Sequence, residues 1–180
     1  MKDIGNRYEI SSLTNDKVKL INSLHHRKYR RQHNLFVAEG FRICREAAEN
    51  GWEIRYLLYD NLNIDTHIIE NLINEVLCLG ADVIGVTSEI LSKISHKENP
   101  QNVLCVIDQK WSNLPTIIKD KTFVALETVR DPGNLGTILR TMDGVGATDC
   151  ILLDECTDPF SYESVRASMG AIFNLSLIHI

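Results

Sequence analysis

Asn134 and Arg140 are the residues of this chain whose types and spacing best suit chemistry on a ligand rich in hydroxyls and negative charge. They lie in the string Val129-Arg130-Asp131-Pro132-Gly133-Asn134-Leu135-Gly136 and the four residues that follow it. Pro132 removes a donor and fixes one φ angle. Gly133 and Gly136 let a ligand or another backbone come close. The Asn134 side chain is expected to cap the helix that follows, and its amide can also bind a ribose hydroxyl or a phosphate. A helix start offers free N–H groups to an anion. Arg140 stands off the apolar stripe, three and four residues after Thr137 and Gly136, so it can lean back toward the loop mouth. The same residues would also make a plain tight turn, a capped helix and a solvated arginine.

The elements that must hold these residues are legible on either side. Phe123 to Leu126 is a short apolar run, expected as a buried strand. Leu135, Ile138, Leu139, Met142 and Val145 recur at helical spacing, and Gly144 and Gly146 stop that helix. Cys150 to Leu153 starts the next strand. A strand–loop–helix–strand unit predicts a parallel pair with a right-handed crossover, with ligands beyond the carboxyl ends of the strands. After Asp154, a turn-rich loop (Cys156 to Ser161) leads to a helical turn opened by Ser161 or Tyr162. Arg166 and Ser168 are expected to face out there, near the same sheet end as Asn134. Residues 171–180 then alternate as a strand would.

The first half reads as alternating helices and strands, an α/β sandwich. Asn15 or Asp16 can cap one helix running to about Arg31, with Val18, Ile21 and Leu24 on its apolar stripe. Strands are expected at 35–38, 54–59, 82–86 and 103–107. Helices are expected at 41–49, 65–79 and from Thr87-Ser88 through Ile94. Glu39 is expected to accept backbone N–H groups at the turn it opens. The polar loop 95–101 precedes the last strand and can touch a partner or simply cover the surface. Residues 108–121 show no clear period and are expected as a linker between domains at 8–107 and 122–180.

Composition sets the bounds. The 180 residues are 44% hydrophobic and 24% charged, which is ordinary for a soluble chain. No apolar run approaches membrane-spanning length, and the N-terminus lacks the apolar core of a signal peptide, so the cytoplasm is the expected location. Cys44, Cys78, Cys105 and Cys150 lie in apolar stretches and are expected in the core as free thiols. With Cys156 they make five scattered cysteines without Cys-x-x-Cys, so no zinc site or disulfide framework is expected, and the histidines show no metal-ligand spacing either. The net charge of −5 argues against indiscriminate nucleic-acid binding, but its distribution is uneven. Residues 1–33 hold eight basic and three acidic side chains. Arg27, Lys28, Arg30 and Arg31 cluster at the expected end of the first helix, where they can meet phosphates or simply complement the helix dipole.

The string Asp131-Pro-Gly-Asn-Leu-Gly-Thr-Ile-Leu-Arg140, with Gly146-Ala147 and the strand after, resembles the first motif of the SpoU/TrmH family. These are RNA ribose 2′-O-methyltransferases of the trefoil-knot (SPOUT) superfamily. Arg166 to Phe173 resembles that family's second block. Ser11 through Leu24, Arg27 to Arg30, Phe36 to Gly40 and Asn99-Pro100-Gln101 resemble the RNA-binding domain that many members carry. The resemblance covers nearly the whole chain. It implies a small N-terminal α/β RNA-binding domain, then the N-terminal portion of an α/β SPOUT methyltransferase domain with an incomplete knot. The family's later Gly/Asn/Glu-rich and Ser-Leu-Asn loops have no counterpart here, so a truncated chain is expected. In the family those segments bind S-adenosylmethionine and build much of a homodimer interface, and no cofactor-binding residue is assigned within this sequence.

The implied reaction is methyl transfer from S-adenosylmethionine to a ribose 2′-hydroxyl of rRNA or tRNA, and not of DNA. Arg140 matches the family's arginine at the reacting hydroxyl. An arginine is a poor general base, because its pKa exceeds about 12, so holding a phosphate or a developing oxyanion suits it better. Asn134 is expected to orient the ribose, Arg166 and Ser168 to contact the RNA backbone, and Arg27, Lys28, Arg30 and Arg31 to select substrate. Two other readings stay open. One is a catalytically silent RNA-binding protein, which calorimetric titration with S-adenosylmethionine would separate from the enzyme. The other is a doubly wound enzyme acting on a nucleotide or another small molecule, although neither Gly-x-Gly-x-x-Gly nor a Gly-x-x-x-x-Gly-Lys loop occurs.

Overall fold

The computed structural model describes residues 4–114 and 122–180. The second half of the expected linker therefore lies outside the described residues. The chain divides into two compact units, one ending at Asp108 and the other beginning at Gln109.

The first unit is one mixed sheet with helices between its strands. Strands β1 (Arg7–Ile10), β2 (Leu35–Glu39), β3 (Ile54–Asp60), β4 (Asp82–Val86) and β5 (Val103–Asp108) lie in the order β1-β4-β3-β5-β2. β1, β4 and β3 run parallel, and β5 is antiparallel to both β3 and β2. The helices are α1 (Asp16–Ser23), α2 (Arg27–His33), α3 (Phe41–Glu49), α4 (Thr66–Cys78) and α5 (Ser88–Ser95). Every residue of β2 is buried, and so are Val103 through Ile107 of β5. Such continuous apolar runs belong to strands covered on both faces. Trp52 is buried and meets the Phe36 ring edge-on at 6.0 Å. The α4 stripe of Ile69, Leu72, Ile73 and Val76 is buried, but Ile68, expected on it, is 65% exposed. Cys78 is exposed as well, against expectation, while the other four thiols are buried and all five are free.

β1 was not legible in the sequence, because Arg-Tyr-Glu-Ile carries only one residue that ends up buried. Polar clamps hold it against β4. Asn6 donates to Asp82 through its backbone N–H at 3.1 Å and its amide at 3.2 Å. The Tyr8 hydroxyl and the Lys17 ammonium both donate to Asp82 Oδ2, and Lys17 also donates to the Tyr8 hydroxyl. Lys17 Nζ lies 4.9 Å from both the Tyr8 and the Tyr56 ring centroids, a cation between two π faces. Burial raises the Asp82 carboxyl, but the hydrogen bonds from Lys17 and Asn6 outweigh it and leave the group below its ordinary value. Gly5 comes so close that a Cβ there would lie 1.8 Å from the Ala81 carbonyl oxygen.

The expected single helix at 16–31 is two helices, α1 and α2, broken at Leu24 to His26. The cause is Arg30. It was expected among the RNA contacts, yet it is 4% exposed and its guanidinium donates to the carbonyls of Leu24 and His25 at 2.8 and 2.7 Å. A charged donor there satisfies carbonyls that the chain reversal orphans. Arg30 is therefore a brace, while Arg27, Lys28 and Arg31 are exposed. Glu39 does accept a backbone N–H, from Gln101 at 2.7 Å, and it also pairs with Lys97 at 2.5 Å.

The second unit is a three-stranded parallel sheet in the order β6-β7-β8, built from β6 (Phe123–Glu127), β7 (Asp149–Leu153) and β8 (Ser176–His179). Helix α6 (Pro132–Gly144) joins β6 to β7, and α7 (Tyr162–Ser168) follows β7. The parallel β6–β7 pair is the one expected. Ala171–Asn174, expected within the last strand, is a 3₁₀ turn instead, because Ala171, Ile172 and Phe173 are buried in succession and do not alternate. Val145, expected on the α6 stripe, is 76% exposed beyond the helix end. Part of the expected linker packs on this unit. Trp111 meets Phe160 and His179 edge-on at 5.0 and 5.9 Å, and Ser112 N–H donates to Leu177 at 2.8 Å.

Replacing Arg30 by Ala should lower unfolding stability by about 2 kcal/mol. Arg27→Ala should stay within about 0.5 kcal/mol of the parent. Urea denaturation of the two variants checks both.

Candidate functional site

β6 leaves its carboxyl end through Thr128, a β-branched residue held at φ 56, and Asp154 at the same end of β7 has φ 54. A left-handed Thr is a strained position that its surroundings must impose. Thr157 N–H, in the loop between β7 and α7, donates to the Val129 carbonyl at 2.8 Å. The chain then enters α6 with Asp131 as its cap and Pro132 in the first turn.

The cap is the first correction. Asp131 Oδ1 accepts the Asn134 backbone N–H at 2.6 Å, so Asn134 sits inside the first turn and not ahead of it. The aspartate at the position before a proline was the sequence signal for this start. The change frees the Asn134 side chain, which is exposed and makes no hydrogen bond to any described residue. An open cleft of about 500 Å³ lies against it, lined by Thr128, Val129, Arg130, Asp131, Asn134, Thr137 and Ile138. Thr128, Thr137 and Ile138 were not singled out from sequence. Thr137 spends its hydroxyl on the Gly133 carbonyl at 2.8 Å, which leaves its methyl and the Asn134 amide toward the cleft side of the helix.

Arg140 is not among the lining residues. Asn134, Thr137 and Arg140 follow one another at i, i+3 along the exposed face of α6, so Arg140 stands one turn past Thr137 on the same ridge. Helical side chains lean toward the N-terminus, which here is the direction of the cleft. Arg140 is exposed and forms no ion pair among the described residues. The nearby Arg130–Glu155 pair is 3.4 Å long, with both side chains mostly in water, and contributes little.

Gly136 faces the other way, into α7. A Cβ built on it would lie 2.5 Å from the Ser164 carbonyl oxygen, 2.6 Å from Ala167 Cβ and 2.9 Å from Ser168 N. Of its two anticipated uses, it serves the approach of another backbone. α7 is capped by Ser161, whose hydroxyl accepts the Ser164 N–H at 3.2 Å. Arg166 is exposed on α7, without an ion pair among the described residues. Ser168 was expected to face out beside it, but it is fully buried and its hydroxyl donates to the Val165 carbonyl at 2.8 Å. Seven residues of helix cannot present both faces to solvent while one backbone is pressed on Gly136, so Ser168 belongs to the packing.

Burial, reinforced by nearby Cys156, pushes the Cys150 thiol up to about 12, so it stays protonated near neutral pH. No group of three or more His, Cys, Asp or Glu among these residues could hold a metal. No helix among them is long and apolar enough to cross a membrane.

Residues 15–105 match the MRM3-like substrate binding domain, and residues 121–180 match the SpoU rRNA methylase family. The chain joins an MRM3-like substrate binding domain to a SpoU methylase domain. Its relatives include the 23S rRNA guanosine 2′-O-methyltransferase RlmP of Bacillus subtilis, 28% identical over 170 residues, which are 94% of this chain and 64% of that protein. An rRNA methyltransferase of Sinorhizobium meliloti has a similar structure, with a TM-score of 0.89 and 39% identity over 98% of this chain and 66% of that one. The same comparison to its AdoMet-bound form gives 0.88 and 40%, over 97% of this chain and 65% of that one. The chain thus spans a little under two thirds of the length of these relatives. Its α/β architecture is that of SpoU methyltransferases.

Adding a methyl at Gly136 should cost about 1–3 kcal/mol, because two backbones must separate. Gly133→Ala, whose nearest neighbour is its own cap at 3.2 Å, should stay within about 1 kcal/mol. Thermal unfolding of Gly136→Ala beside Gly133→Ala measures the difference.

Proposed function

We propose that this chain is part of an RNA ribose 2′-O-methyltransferase that uses S-adenosylmethionine and acts on rRNA. The observation that carries the reading is the ridge on α6, where the Asn134 amide and the Arg140 cation have no partner among the described residues and face away from the contact with α7. The 23S rRNA guanosine 2′-O-methyltransferase among the relatives and the AdoMet-bound neighbour support it.

A 2′-hydroxyl is a weak nucleophile, so its placement supplies much of the rate. Asn134 offers both a donor and an acceptor to a ribose at the cleft. Arg140 would clamp the adjacent phosphate and stabilise charge as the hydroxyl loses its proton. Arg166, on the helix that Gly136 locks to α6, would hold a further phosphate. S-adenosylmethionine would supply an electrophilic methyl group. The cleft does not by itself suit an adenosine, since only Val129 and Ile138 among its seven lining residues are apolar and it lies open. We therefore assign the donor's seat to none of these side chains.

Substrate choice is assigned to a domain at 8–107, through Arg27, Lys28 and Arg31, with 108–121 as the connection and 122–180 as the methyltransferase portion. Arg30 and Ser168 are withdrawn from the RNA contacts. A homodimer in the cytoplasm completes the proposal.

Arg140→Ala in the enzyme should lower tritium transfer from labelled S-adenosylmethionine to rRNA by about two to three orders of magnitude, with RNA affinity changed far less. Near-normal turnover would remove Arg140 from the chemistry. Replacing Arg27, Lys28 and Arg31 together by Ala should reduce the slope of log Kd on log salt by roughly two to three. An unchanged slope would make α2 a mere surface.

A further inference from the structure

α5 ends in an aromatic ring where the backbone would favour glycine. His96 caps the helix in the left-handed conformation, φ 54 and ψ 38, with its N–H donated to the Ser92 carbonyl. Gly or Asn is the usual choice there. The imidazole is not buried in compensation, because His96 is exposed. It is nevertheless fixed. Its ring stacks on His25 with centroids 3.9 Å apart and planes 13° apart. Its Nε2 lies 3.0 Å from Asn22 Oδ1. His25 in turn is pinned by its own Nε2, 2.5 Å from the Ile94 carbonyl oxygen; that oxygen can only accept, so the nitrogen carries the proton. The outcome is a rigid aromatic plane with one face covered and its residue open to water.

The sequence around both histidines is rich in positive charge. Arg27 and Lys28 follow His25 by two and three residues, and Arg31 comes one turn later. All three are exposed without ion pairs among the described residues. Lys97 follows His96 directly and is matched to Glu39. Exposed Glu98 is the nearest unmatched acid along the chain, and Lys93 sits one turn back on α5. Cations without acids to satisfy them suit phosphates, and a held aromatic plane suits the face of a base.

We propose that His96, backed by His25, is a stacking platform for an unpaired nucleobase of the RNA, with Arg27, Lys28 and Arg31 on the neighbouring phosphates. The inference rests on the RNA-binding reading of this unit and specifies which part of the RNA it takes. A base inside a duplex has no free face, so the platform selects a loop, a bulge or a single strand.

The test uses the 180-residue chain and two RNA probes of matched composition, a hairpin whose unpaired loop carries 2-aminopurine and a blunt duplex. His96→Asn removes the ring and suits the left-handed backbone, so folding is preserved. It should weaken hairpin binding roughly tenfold, leave duplex binding and the salt slope unchanged, and abolish the quenching of 2-aminopurine. His96→Phe should restore hairpin binding to within about twofold, since it keeps a stacking face. Equal affinity of parent and His96→Asn for the hairpin would overturn the platform while leaving the RNA-binding reading intact. An equal loss on hairpin and duplex would overturn it too, by showing a general rather than a stacking contact. A parent chain that binds neither RNA would defeat the RNA-binding reading of the unit, and the platform with it.

Discussion

The site depends on two helix backbones meeting at a residue with no side chain. Gly136 sets how closely α7 lies on α6, with the Ser164 carbonyl where a Cβ would be. That contact orients α6 about its own axis. Once Gly136, Leu135, Leu139 and Met142 are turned inward, Asn134, Thr137 and Arg140 have only the outward face left. Their exposure follows from packing on the opposite side. Asp131 then fixes where the helix begins, and thereby which residue of the turn keeps its amide free.

In the first unit the comparable constraint is the satisfaction of carbonyls rather than the closeness of backbones. Arg30 closes the α1–α2 turn from inside, and this turns Arg27, Lys28 and Arg31 outward. The same junction carries His25, whose ring bridges to the end of α5. A short basic helix and a loop some seventy residues later in sequence are thereby held together.

Most elements were legible because their apolar residues recur at one period. α3, α4, α5, β2 to β5 and the β6–β7 pair appear where periodicity and turn residues put them, within a residue or two at the ends, and α6 does so except that its cap lies three residues before the expected one. What sequence could not show was what a polar side chain does once it has neighbours. Arg30 looks like Arg31 in the sequence, and only tertiary contact separates the brace from the free cation. Ser168 belongs to a helix too short to show a period of its own, and the Gly136 contact decides which of its faces is covered. β1 escaped notice because only Ile10 of it is buried and its main anchor, Asp82, is 74 residues from Tyr8 in sequence. At Ala171–Asn174 three adjacent apolar residues allowed either a strand or a tight turn, and burial of all three selects the turn. Asn134 and Arg140 were legible as a pair, but their placement on a single ridge required the true helix start.

The two tryptophans are distributed one to each unit, and their surroundings differ. Trp52 is sealed against Phe36, while Trp111 leaves 41% of its surface in water as it leans on Phe160 and His179. An indole in an apolar seat emits at shorter wavelength than one touched by water. The chain therefore carries a separate optical reporter in each half, and loss of order in one can be told from loss of order in the other without any label.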